Sequence, residues 1–83
     1  MYEADVELEV AAFKQRFHRW RGKLYLREGH SLYCIFKGCG YGKNRGYGWR
    51  WCIKQDVTGR LEWSEDCFPD EYDCIHNLFT QLH

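Results

Sequence analysis

Residues Lys37–Lys54 read KGCGYGKNRGYGWRWCIK, and they decide how the rest of the chain folds. Tyr47, Trp49, Trp51 and Ile53 recur at every second position, with Arg50, Cys52 and Lys54 between them. A period of two predicts a strand over 47–55 with one apolar face and one cationic face. Ahead of it, glycines at 38, 40, 42, 46 and 48 break any regular pattern. They predict a long flexible connection from a preceding strand, and a loop of that length is often a functional one.

Working back toward the N-terminus, Ser31–Lys37 alternates Leu32, Cys34 and Phe36 on one face. Gly29 and His30 supply a tight turn to a further strand over 23–28. Before that strand the period changes. Val6, Val10, Phe13, Phe17 and Trp20 are spaced 4, 3, 4 and 3, as on one face of a helix over 3–21. Acids at its start and arginines at its end suit the helix macrodipole, and Gly22 suits a C-cap.

Working forward, Asp56–Gly59 predicts a turn and residues 60–64 a short strand with Leu61 and Trp63 on the core face. A final helix over 70–81 carries the stripe Tyr72, Ile75, Leu78, Phe79 and Leu82, with Asp70 as its N-cap. The order α-β-β-β-β-α predicts an α+β domain over 1–83: one antiparallel meander with both helices on a single face and the other face partly open. Trp49, Trp51, Trp63 and Phe79 are the expected core.

Eighty-three residues with four Trp, six Tyr and five Phe describe one small folded unit in which each large side chain carries weight. The net charge is zero but segregated. Residues 1–12 hold four acids and no Lys or Arg, residues 13–54 hold eleven Lys or Arg against Glu28 alone, and residues 55–83 hold seven acids against Arg60. A basic middle block marks an anionic partner, or else the blocks neutralise one another in the fold. An odd number of cysteines and an acidic N-terminus without an apolar run are read as reduced thiols in a cytoplasmic protein. No apolar run is long enough for a membrane span.

The chemistry-bearing residues point to binding and away from catalysis. The glycine loop matches neither GxxxxGK[ST] nor GxGxxG. Ser31 and Ser64 lie in no GxSxG, and Cys74 and His76, two apart on a helix, diverge. The cysteines lack the paired spacing of zinc sites, so neither metal nor cofactor is expected.

Residues 47–82 resemble the second half of AP2-like domains and the related arm-binding domains of phage integrases. The pieces are Gly48-Trp49-Arg50-Trp51, Thr58-Gly59-Arg60, Trp63 and Phe68, with Cys74 at the family's helix alanine. The Leu-Gly stretch before the Phe is replaced by Glu65-Asp66-Cys67. The resemblance implies a sheet that reads DNA, through Arg50, Lys54 and Arg60.

The expected function is therefore a non-enzymatic protein that binds nucleic acid through the basic loop and sheet face: Lys37, Lys43, Arg45, Tyr47, Arg50, Lys54 and Arg60. The rival is a protein-binding accessory or inhibitor of the phage or mobile-element kind, anti-CRISPR-like, which blocks a host nucleic-acid-handling complex with Tyr41 and Tyr47 as anchors. The first helix's spacing would also serve a homodimer seam.

Overall fold

A computed structural model describes residues 3–39 and 46–83. The order is α1 (Glu3–Gln15), β1 (His18–Trp20), β2 (Lys23–Glu28), β3 (Ser31–Cys39), β4 (Gly48–Gln55), β5 (Leu61–Trp63) and α2 (Glu71–Leu82). The strands form one antiparallel sheet in the order β1-β2-β3-β4-β5. The α+β meander is as the periodicities predict, with one strand more.

The additional strand is β1. The helix predicted over 3–21 stops at Gln15, where Arg16 and Phe17 donate to carbonyls three residues back and tighten the last turn. His18–Trp20 then pairs with Lys23–Tyr25 around a two-residue turn. Both turn residues, Arg21 (φ 50°) and Gly22 (φ 78°), take the left-handed conformation that a type I′ hairpin demands. Gly22 serves that turn and not a helix cap. As a result Trp20, expected on the helix's apolar face, lies on a strand and is 58% exposed.

The core lies between the sheet and both helices. It takes Val10, Phe13 and Phe17 from α1 and its exit, and Leu24, Leu26, Tyr33, Ile35, Trp51 and Ile53 from β2, β3 and β4. From α2 it takes Cys74, Ile75 and Leu78. The strand residues are in register: Leu24 opposes Ile35, Leu26 opposes Tyr33, and Ile35 and Tyr33 oppose Trp51 and Ile53. The α1 stripe is thus used up in the chain's own core. Asp70 caps α2 by accepting from the Asp73 N–H at 2.8 Å. Trp51 donates from Nε1 to Asn77 Oδ1 at 2.8 Å, which fixes α2 against β4. Trp49 and Phe79 are half-buried against this core.

Trp63 departs from expectation. Cys52 opposes Trp63 and Lys54 opposes Leu61, so both apolar residues of β5 stand on the face away from the helices, 46% and 50% exposed. The alternation is real, but the turn sets the register the other way.

Beyond β5 the chain stays on β4. Ser64 is buried; its N–H donates to the Trp51 carbonyl, its Oγ accepts from the Trp51 N–H, and its hydroxyl donates to the Asp66 carbonyl. Trp49 and Phe68 then exchange two backbone hydrogen bonds of 2.7 and 2.8 Å. This pairing brings Cys67 alongside Gly48, and Cys39 is the β-partner of Gly48 on the other side. A disulfide joins Cys39 to Cys67 across β4, which corrects the expectation that all five thiols are reduced. Gly48 makes the crossing possible: a Cβ there would lie 2.0 Å from Cys67 Sγ.

Candidate nucleic-acid interface

The face of the sheet away from the helices is the chemically distinctive surface of this molecule. Residues at alternate positions point to it: His18 and Trp20 from β1; Lys23, Tyr25 and Arg27 from β2; Leu32, Cys34 and Phe36 from β3; Arg50, Cys52 and Lys54 from β4; Leu61 and Trp63 from β5. The register aligns them in rows. Tyr25, Cys34, Cys52 and Trp63 are successive partners across the sheet, and so are Arg27, Leu32, Lys54 and Leu61. Phe36 stands opposite Arg50, and Trp20 opposite Lys23. Four cations and four aromatics share this face, no carboxylate alternates onto it from the five strands, and Asp56 reaches it to pair with Arg27.

The acids are elsewhere and partly engaged. Arg16 pairs with Glu28 at 2.7 Å and Arg19 with Glu71 at 2.6 Å, both on the helix side, and Arg27 pairs with Asp56 at the sheet's corner. Some of the basic middle block is thus neutralised internally. Exposed pairs of this kind add little stability. Lys23, Arg50 and Lys54 form no ion pair among the described residues.

Arg50 is held in place. Its Nη2 donates to the Ser64 carbonyl at 2.6 Å, and its guanidinium lies 5.6 Å from the Trp63 ring centroid. Its Nε is buried without a partner among the described residues. Phe36 meets the same tryptophan edge-on at 5.7 Å. Trp63 is therefore fixed between a cation and a ring with part of its surface free. The other edge repeats the arrangement: Trp20 lies 6.3 Å from Tyr25, with Arg21 4.7 Å from its centroid.

The expected binding residues separate into three groups. Arg50 and Lys54 are on this face. Lys37 is on the helix side, opposite Trp49, with its Nζ 5.2 Å from the Tyr47 ring centroid and 6.0 Å from that of Trp49. Arg60 is also on the helix side: its carbonyl accepts from the Gln55 N–H, and its side chain lies by Val57, Thr58 and Glu62. Tyr41, Lys43 and Arg45 lie outside the described residues. Sequence reasoning missed Trp20, Lys23, Tyr25 and Trp63 as members of the face.

The free cysteines are poor nucleophiles. Burial pushes the Cys74 thiol up to about 12, and Cys34 and Glu71 add to it. Burial likewise raises Cys34, with Cys52 adding and Lys23 and Tyr25 opposing, and raises Cys52 against the nearby Arg50. Burial is also the main cause that raises Tyr25. Among the described residues no three of His, Cys, Asp and Glu come together as metal ligands. No helix there is long and apolar enough to cross a membrane.

Searches against protein-family models, curated proteins and solved structures yield no match to this chain.

Proposed function

We propose that this chain is a non-enzymatic nucleic-acid-binding domain and that the open sheet face is its binding surface. One observation carries the reading: Lys23, Arg50 and Lys54, none of them in an ion pair among the described residues, share a face with four aromatics. A cationic surface attracts phosphate. Aromatic rings add affinity for bases, and few other anions present both.

The test is fluorescence anisotropy with labelled oligonucleotides across a salt series. Lys23 and Lys54 together give a log–log slope of about −1.4 on a single strand or about −1.8 on a duplex. The double variant Lys23→Glu, Lys54→Glu abolishes binding at low salt. Absence of binding to any nucleic acid at low salt rejects the reading.

The rival, a protein-binding inhibitor module, has its own support in the exposure of Trp20, Tyr47, Leu61 and Trp63. Tryptophan, tyrosine and arginine anchor protein interfaces, but lysine is depleted from them. Two lysines standing among the aromatics favour nucleic acid.

A further inference from the structure

The aromatics of the open face bear on which form of nucleic acid fits there. They sit at its two edges: Trp20 with Tyr25 on β1 and β2, Trp63 with Phe36 on β5 and β3. Each tryptophan has a guanidinium near its ring and keeps about half its surface free, 58% and 46%. Between the edges lie Lys23 and Lys54. Phosphate contact alone requires cations and gains nothing from half-exposed indoles. A flat ring with a guanidinium over it and about half its surface free offers the remainder to something else flat.

A duplex does not supply that surface, because its base faces are stacked on one another. Its major groove is about 12 Å wide and admits a helix or a two-stranded ribbon. From β1 to β5 this sheet spans roughly 19 Å at the usual strand spacing. The face is too broad to enter the groove, and on a duplex its tryptophans would rest against the phosphate ridge. An unpaired strand laid across the sheet meets both requirements, since its bases are free to stack and its backbone can follow the lysines. A second copy of this chain is disfavoured by charge, since two such faces would set three unpaired cations against three.

Given the nucleic-acid reading, on which this inference rests, we propose that the open face binds single-stranded nucleic acid, with bases stacked on Trp63 and Trp20 and the backbone held by Lys23 and Lys54. Arg50 is a positioning residue: it holds Trp63 through the Ser64 carbonyl.

The test uses the full chain with its disulfide intact. Its probes are a mixed-sequence single-stranded DNA 12-mer, the same RNA 12-mer, the DNA duplex, and an abasic DNA 12-mer of equal charge. Expected is binding of at least one single strand tenfold or more tighter than the duplex, with most affinity lost on the abasic strand. Trp63→Ala weakens single-strand binding roughly ten- to a hundredfold, as loss of one stacked base does. Trp63→Phe retains most of it, and duplex binding stays unchanged. Both variants keep a near-native melt, since the side chain is half exposed. Equal affinity for duplex and abasic strand, unmoved by Trp63→Ala, overturns the stacking inference and leaves a phosphate-binding protein. No binding to any probe at low salt rejects the nucleic-acid reading itself. A dimer by light scattering that Trp63→Ala makes monomeric also overturns the inference, because a second copy then occupies the face.

Discussion

Trp51 and Trp63 show how one residue type takes opposite roles twelve positions apart. Trp51 is 4% exposed, packs beneath α2 and spends its only polar atom on Asn77. Trp51→Ala is expected to cost about 3–5 kcal/mol by cavity formation, measured by urea unfolding. Asn77→Ala tests the polar part alone at about 1 kcal/mol. The burial of Trp51 and Ile53 was legible because β4 is central and its two sets of side chains differ sharply. Trp63 was not legible. Leu61 and Trp63 alternate around Glu62 whichever way the strand faces, and only the turn at 56–60 fixes the choice. Cys74 supports a prediction of a different kind. Its thiol is raised from about 9 to about 12 in the folded chain, mainly by burial. Below pH 9 it is protonated in both states and adds no pH dependence. Between pH 9 and 12 the unfolded chain releases that proton and the folded chain keeps it, so stability falls as pH rises. Tyr33, raised mainly by burial, acts with the same sign. Thermal melts are expected to be flat to about pH 9 and then to decline, less steeply in Cys74→Ala.

At the scale of elements, two glycines decide what the patterns leave open. Gly22 was ambiguous in principle, because a helix C-cap and the second position of a type I′ turn use the same left-handed backbone. The 4-3 spacing up to Trp20 favoured the cap, yet β1 gains backbone pairing with β2 that a longer helix would forgo. Gly48 carries no such ambiguity once the strands are paired. Its missing Cβ is what allows Cys39 and Cys67 to meet across β4. The bridge was beyond the sequence because 28 residues separate the two cysteines and only the Trp49–Phe68 pairing brings them together. Closing a loop of that length stabilises the fold by about 3–4 kcal/mol on the chain-entropy account. Cys39→Ser with Cys67→Ser is expected to lower unfolding free energy by that order. Gly48→Ala reaches the same end by steric exclusion. Thiol titration of the unfolded, non-reduced protein should return the three free cysteines for the parent chain and all five for Gly48→Ala.

Over the whole molecule, the zero net charge conceals a division between two surfaces. On the helix side, Arg16 and Arg19 are matched by Glu28 and Glu71. On the open face Arg27 is matched by Asp56, while Lys23, Arg50 and Lys54 stay unpaired among the described residues. Charge blocks in the sequence announced a basic surface but not which of its cations would stay together, because that depends on strand parity. Parity puts Lys37 and Arg60 on one side and Lys23, Arg50 and Lys54 on the other. The two sides can be tested against each other. Lys23→Ala and Lys54→Ala each remove one phosphate contact and are expected to flatten the log–log salt slope by about 0.7 on a single strand. Lys37→Ala and Arg60→Ala, on the far side, leave the slope within error. The comparison is internal to one protein and one probe, so it does not depend on absolute affinity. Equal flattening by all four variants would mean that the chain attracts nucleic acid as a diffuse charge, and the open face would lose its claim to be the site.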